Sequence, residues 1–307
     1  MENKSYLTQN ADDIDLIRKI LTDNGFTNIK NITRLPSGSR SKAFRVNDLI
    51  VRIPVRDDAI MEQEREAEIS KIMQQNLPTH LQNKVTNVYF NGKCAYHQEI
   101  KGELLNGVYA KMNSKEHHQL AIDIAELLSA IHRIPISDVQ EKTQKYLKIC
   151  RNENKTAQQD FDYSIAKLQI LDASDDKINL DDFKIELPTD NLVVCHNDLH
   201  CENIVVNNGR LSGFIDFGEA GINPRLTDFF HLYRLDRDLA VDVIKEYNKI
   251  SDCKIDIKAA DYQFLSNTGY TLEQRKHRPS FKQEVAKVLE NFVNSYQRRT
   301  INTTNRL

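Results

Sequence analysis

Residues 194–206, VCHNDLHCENIVV, hold two histidines, two cysteines, two acids and two asparagines in thirteen positions. Such a density supports either of two chemistries. One is a metal cage built from Cys195, His196, His200 and Cys201; the other is a catalytic loop in which the Asp198 carboxylate does the work. A structural zinc site uses thiolates and imidazoles in paired spacings such as C-x2-C. Here Cys195 adjoins His196 and His200 adjoins Cys201. Adjacent side chains on an extended strand point to opposite faces, which opposes convergence on one ion. The metalloprotease pattern H-E-x-x-H would need Glu at 197, where Asn stands.

Phosphoryl transfer from a nucleotide to a hydroxyl needs an acid beside that hydroxyl and divalent metal against the phosphates. Asp198 followed five positions later by Asn203 has the spacing of a kinase catalytic loop, and FIDFG supplies a second metal-holding acid, Asp216. The sequence between them, IVV-NNGR-LSGFIDF, reads as a hairpin turning at Asn208-Gly209. Counting outward pairs Val206 with Leu211 and Asn203 with Phe214. Asp216 then falls just beyond the same end as Asn203, so local geometry alone brings the two candidate ligands together. The metal cage predicts none of this.

The positioning elements can be read from the same kind of pattern. DDIDLIRKIL is a helix with Asp12 or Asp13 as cap and Ile14, Ile17, Ile20 and Leu21 on one face, ended by Asn24-Gly25. Strands follow near 31–36, 41–46 and 49–53, then a long helix stopped by Pro78, then strands near 85–90 and 94–100. From 101 onward helices dominate. One of them aligns Leu120, Ile124, Leu127, Leu128 and Ile131. The C-terminal RRTINTTNRL is expected to fray.

A chain of 307 residues exceeds the usual size of one compact domain, so two lobes are expected, 1–100 and 101–307. A net charge of −2 excludes a general nucleic-acid binder. Between Asp160 and Asp190 nine acids face three lysines, which favours cationic partners. The five cysteines form no CxxC pair, the N-terminus lacks a signal-peptide pattern, and no apolar run approaches the roughly 20 residues of a membrane helix. A reduced, cytoplasmic protein without a membrane partner is expected.

VCHNDLHCENIVV together with LSGFIDFGEAGINPRLTDF resembles the aminoglycoside phosphotransferase family of the protein-kinase-like superfamily, and most of all its 2″-phosphotransferase branch. The resemblance extends through RIP at 52–54, IKG at 100–102 and LLSAIHRIP at 127–135. It implies a bilobal α+β fold, with a small lobe of antiparallel sheet plus helix and a larger, mainly helical lobe. It also implies Mg2+ and ATP or GTP as phosphoryl donor.

By that likeness Asp198 is the catalytic carboxylate, Asn203 and Asp216 hold magnesium, and Asp228 ties down the catalytic loop. PSGSRSKAF would be the nucleotide-positioning loop, with Ser37, Gly38 and Ser39 facing phosphate, although a plain hairpin turn also accounts for Gly38. Arg52 stands where the pattern has Lys, and its fork can still bridge phosphate oxygens. Glu66 is its expected partner, with Glu62 in reserve. The base edge would meet backbone near Gln98 and Ile100. Glu202, Glu219, Asp236, Asp238 and acids of the 160–190 stretch are candidates for ammonium groups of a cationic substrate, although Arg234 and Arg237 interrupt them. The residues leave open a choline, amino-alcohol or metabolite-sugar acceptor, and a noncatalytic nucleotide-binding scaffold suggested by Arg52. They carry no information on oligomeric state.

Overall fold

The computed structural model describes residues 11–36, 40–143, 192–274 and 279–304. The acidic stretch at 160–190 and Ser37, Gly38 and Ser39 lie outside the described residues. The chain starts with α1 (Ala11–Asp23) and β1 (Ile32–Arg34), β2 (Ser41–Val46) and β3 (Leu49–Pro54). Next come α2 (Asp57–Asn76), a single turn α3 (Thr79–Gln82), β4 (Tyr89–Phe90) and β5 (Ala95–Gln98). The five strands form one antiparallel sheet in the order β1-β2-β3-β5-β4.

Alternation along β3 divides the sheet into two faces. Val51 and Ile53 pack with Phe44, Val46 and Tyr96 against Ile17, Ile20 and Leu21 of α1. Each fully buried aliphatic side chain of this kind stabilises by about 1.5–3 kcal/mol. Arg52 and Ile50, and His97 opposite Ile50 on β5, belong to the other face. Asp13, one of the two expected caps of α1, instead pairs with Lys42 at 2.8 Å. Helix α2 ends where the residue before Pro78 turns extended, Leu77 having φ −73° and ψ 144°. Its apolar residues Ile69, Ile72 and Met73 join the larger of the two cores.

Only Tyr89–Phe90 of the expected 85–90 strand enters the sheet. Val85 bridges to Phe214 instead, and the Val88 N–H donates to Ser70 Oγ of α2 at 2.7 Å. The chain then passes through β6 (Glu103–Leu104) and the short turn α4 (Leu105–Val108) into α5 (Ser114–Ile131) and α6 (Ile136–Thr143). A reciprocal cap opens α5: Asn113 Oδ1 accepts from the Lys115 and Glu116 N–H groups, and the Glu116 carboxylate accepts from the Asn113 N–H. All five residues expected on its apolar face are buried.

Strand β7 (Leu192–Cys195) leads into the HNDLHCEN segment and pairs with β10 (Gly221–Pro224). Between them runs the hairpin of β8 (Ile204–Asn207) and β9 (Arg210–Phe214), which pairs with β6. Asn208 (φ 49°) and Gly209 (φ 73°) make the turn. The register departs from simple outward counting. Val206 faces Leu211, but a bulge at the next step sets Val205 against Gly213 and Ile204 against Phe214. Asn203 therefore meets Ile215, whose N–H donates to the Asn203 carbonyl at 3.0 Å. The bulge moves Asp216 one position closer to Asn203 than the even count allows.

Four helices complete the chain: α7 (Phe230–Leu235), α8 (Arg237–Ile250), α9 (Ile257–Gln274) and α10 (Pro279–Thr304), the last continuing helical into the segment expected to fray. Arg237 is buried, makes a two-point ion pair with Asp261 of α9 at 2.7 and 2.9 Å, and lies over the Phe292 and Tyr296 rings of α10.

Two outcomes follow from this framework. A Cβ on Gly213 would lie 2.4 Å from the Lys84 carbonyl oxygen and 2.8 Å from its carbon, where backbone rather than a flexible tip must yield. Gly213→Ala should lower the unfolding free energy by about 1–3 kcal/mol in urea denaturation. His97 is buried beside Arg52, and burial followed by that cation pushes its pKa down to about 4. The unfolded imidazole protonates near 6.5 and the folded one only near the lower value, so between them the unfolded chain binds more protons. Its stabilisation is complete above about pH 6.5 and is lost toward about pH 4, by on the order of 3 kcal/mol at most. Denaturation at a series of pH values should show a shallower acid loss in His97→Gln than in the parent.

Candidate active site

The loop between β7 and β8 is held from beneath by a buried acid. Asp228 Oδ1 accepts the Asn197 N–H at 2.8 Å, and Oδ2 accepts the His196 N–H at 2.9 Å and lies 3.1 Å from His132 Nε2. Burial alone would raise the Asp228 pKa, but the His132 hydrogen bond, the neighbouring imidazoles and the Asn197 N–H hold it below the ordinary carboxylate value. His196 Nε2 lies 2.9 Å from the Ile215 carbonyl, and its Nδ1 accepts from the Asp198 N–H at 3.3 Å. The ring thus braces the loop against the segment that carries Asp216.

Asn197 takes a left-handed conformation at φ 68°, one that asparagine tolerates. Its side chain donates to the Glu219 carbonyl at 2.8 Å and accepts from Asn223 at 2.9 Å. Asp198 is therefore presented from a fixed turn. Asn203 is 5% exposed, and its amide nitrogen donates to the Asp198 carbonyl at 2.8 Å. With the nitrogen so engaged, the amide oxygen is the end available to a cation. Asp216 also stands in the left-handed region, at φ 62° and ψ 67°, which a non-glycine residue adopts at a cost recouped by its surroundings.

Arg52 joins this group from the sheet. Its guanidinium pairs with Glu66, which is 1% exposed, and reaches Asp216 Oδ1 at 3.3 Å. Burial raises the Glu66 pKa against the opposing pull of Arg52. Glu62, the reserve partner, pairs instead with Arg40 at 2.7 Å. The amide oxygen of Asn203 and the carboxylate of Asp216 are hard oxygen donors of the kind Mg2+ prefers, so the residues fit that ion.

Asp198 opens onto a cavity of about 630 Å3 whose lining includes His200, Glu202, His231, Arg234, Glu284 and Lys287. His200 Nε2 lies 3.5 Å from one Asp198 oxygen and His231 Nε2 3.6 Å from the other. Burial would raise the Asp198 pKa, but His200, His231 and His196 hold it below its usual range. The Asp198 contact raises the His200 pKa, whereas burial pushes His231 down to about 4. Asp198 is therefore an anion at neutral pH.

Of the four candidate substrate acids, Glu202 lines this cavity and accepts from Asn106 Nδ2 at 3.2 Å. The other three are engaged elsewhere. Glu219 pairs with Arg40 at 3.0 Å and with Arg65 at 3.8 Å. Asp236 is the N-cap of α8, accepting from the Asp238 and Leu239 N–H groups, and Asp238 binds Arg298 and Ser295. The side chains of Gln98 and Ile100 line a separate cavity of about 710 Å3, with Lys84, Thr86, Leu211 and Ser212.

Sequence reasoning missed His231, Lys287 and Glu284, which reach the cavity from α7 and α10. It also missed Asp123, which receives Arg210 and the Leu211 N–H and so fixes the hairpin to α5. His231 lies three residues after Asp228 in TDFFH, a proximity that could have flagged it; the other three carry no local signal. The four-residue metal cage does not form. Among the described residues the His/Cys/acid group that comes close together is His132, Cys195 and Asp228. There both imidazole nitrogens and both carboxylate oxygens already have protein partners.

Comparison with known proteins bears on the fold and the family. Aminoglycoside 3′-phosphotransferase of Streptomyces fradiae is 26% identical over 130 residues, 41% of this chain and 48% of that protein. The chain thus matches about half the length of this curated relative. The streptomycin–ATP–APH(2″)-IIa ternary complex superimposes with a TM-score of 0.64 at 22% identity, covering 92% of this chain and 97% of that one. ADP-bound APH(2″)-Ib gives 0.63 at 22% identity over 92% and 98%. Macrolide 2′-phosphotransferase type I gives 0.59 at 14% identity, again over 92% and 98%. These likenesses establish a shared bilobal kinase-like fold. The family model described as "Phosphotransferase enzyme family" matches residues 31–254, and the chain belongs to that family.

Proposed function

We propose that the protein transfers the γ-phosphoryl group of ATP or GTP to a hydroxyl of a small molecule in the Asp198 cavity. The observation that carries this reading is the convergence of Asp198, Asn203, Asp216 and the Arg52–Glu66 pair around one hairpin end. Asp198 takes the proton of the acceptor hydroxyl as the new P–O bond forms. The bond between the β–γ bridging oxygen and the γ-phosphorus breaks, and the nucleoside diphosphate leaves. Asn203 and Asp216 would hold Mg2+, which supplies charge neutralisation on the phosphates. Arg52, fixed by Glu66, meets phosphate oxygens. In this reading residues 1–100 hold the nucleotide, with Ser37, Gly38 and Ser39 and the backbone near Gln98 and Ile100 contributing, while 101–307 hold the acceptor.

The acceptor class is read from the relatives and from charge. The curated relative and the 2″-phosphotransferase structures support a cationic aminoglycoside antibiotic, and hence a resistance function. Asp198 and Glu202 offer carboxylates toward ammonium groups, whereas Glu284 is paired with Arg234. A second reading, a metabolite sugar, is favoured by Arg234, Lys287, His200 and His231 on the same walls, which suit hydroxyls and anionic groups; choline and other amino alcohols are cations that those side chains repel. The reaction is assigned to the cytoplasm, where nucleoside triphosphates are made. Among the described residues no helix is long and apolar enough to cross a membrane, and Cys94, Cys195, Cys201 and Cys253 are free thiols.

Incubation with MgATP or MgGTP and a panel of aminoglycosides, choline and amino sugars should yield a phosphorylated product detectable by mass. Product from the amino alcohols alone would remove the antibiotic assignment. Asp198→Asn should lower kcat by roughly 10²–10⁴ with little change in nucleotide affinity. An unchanged rate would refute the role given to Asp198.

A further inference from the structure

Arg40 occupies an unusual position in the nucleotide half of the site. It follows Ser39 in the sequence and directly precedes β2, and its Nη1 is shared between Glu62 Oε2 at 2.7 Å and Glu219 Oε1 at 3.0 Å. The two acids come from different parts of the fold, Glu62 from α2 and Glu219 from the segment just after Asp216. They also border the metal-holding acid. A Cβ on Gly218 would lie 2.7 Å from Glu62 Oε1 and 3.3 Å from Asp216 Oδ1, so Glu62, Gly218 and Asp216 form one continuous edge.

The Arg40 contacts are poorly suited to a permanent structural tie. Its side chain and that of Glu219 are each 49% exposed, and exposed ion pairs contribute only about 0–1 kcal/mol. The buried Arg52–Glu66 pair already joins the sheet to α2. A half-exposed guanidinium on weak partners can exchange them for a triphosphate, whose oxygens match its fork better than two separate carboxylates do.

Position selects which phosphate it meets. Arg52 is seated deep, against Glu66. Arg40 pairs with Glu62, one turn of α2 before Glu66, and its other partner Glu219 is bonded through its carbonyl to Asn197, the residue before Asp198. Arg40 is therefore on the side of the site where transfer occurs.

We propose that Arg40 binds the transferred γ-phosphoryl group, leaving Glu62 and Glu219 when a nucleoside triphosphate enters. This rests on the phosphotransferase reading above and adds a residue to it. Arg40 then favours triphosphate over diphosphate, and it neutralises charge on the group in flight without touching the acceptor.

Calorimetric titration of the full chain with the Mg2+ complexes of ADP and of a nonhydrolysable imido analogue of ATP tests the proposal. Arg40→Ala should weaken the triphosphate analogue by about tenfold or more while changing ADP by less than about twofold. Arg40→Lys, which keeps the charge and the ion pairs but not the fork, should recover part of the loss and guards against a folding defect in the alanine variant. Glu219→Gln should leave triphosphate affinity unchanged or raised, because it loosens a competitor for Arg40. Equal losses for the two nucleotides, no loss for either, or a fall in Glu219→Gln matching that in Arg40→Ala would overturn the proposal in favour of a plain latch. A parent protein that binds neither nucleotide would instead overturn the phosphotransferase reading and this inference with it.

Discussion

The site depends on a carboxylate that never meets solvent. Asp228 holds two consecutive backbone N–H groups of the loop before Asp198 and one imidazole, and it is itself 0% exposed. A buried anion is tolerated only when donors surround it, and here the donors belong to the loop that must be positioned. Satisfying Asp228 and shaping the loop are thus one energetic event. His132 continues the network to the Tyr247 hydroxyl of α8, so the packing of α5 on α8 is transmitted to the turn that presents Asp198.

The same economy operates at the hairpin. Asp123, set within the apolar face of α5, accepts from Arg210 and from the Leu211 N–H and so fixes β9 from below. Lys84 meets the other edge of β9 through its carbonyl, and the Phe214 N–H accordingly donates there at 2.8 Å. Between these anchors Asn203 and Asp216 have little freedom. Of the non-glycine residues in the left-handed region, Asn197 directly precedes Asp198 and the other at the site is Asp216 itself, so both acids are presented from constrained backbone.

Much of this was legible in the chain because its signals are local. The Asn208-Gly209 turn, the alternation of β3 and the apolar spacing of α5 each depend on a few adjacent residues, and each element formed where those residues directed it. Placing Arg52 opposite Val51 and Ile53 follows from strand periodicity alone. The bulge in β9 was not legible, since a one-residue slip leaves no compositional mark in LSGF. Nor were the partners of the candidate substrate acids. Glu219 meets Arg40 across 179 positions and Asp238 meets Arg298 across 60. Asp236 is the exception. An aspartate ahead of RDLAVDVI is an N-cap signal, and its role as a cap could have been read from the sequence.

The Arg237–Asp261 pair has a consequence for where the protein can be cut. Its guanidinium is roofed by Phe292 and Tyr296, so α10 shields an ion pair whose two partners lie on α8 and α9. At the opposite end, α1 covers the outer face of the sheet with Ile17, Ile20 and Leu21. The stretch recognised as the family, 31–254, contains neither covering helix. A gene trimmed to those homology limits would encode a polypeptide with Arg237 charged in an open apolar wound and half its sheet wetted. The packed body extends beyond the stretch that identifies the family.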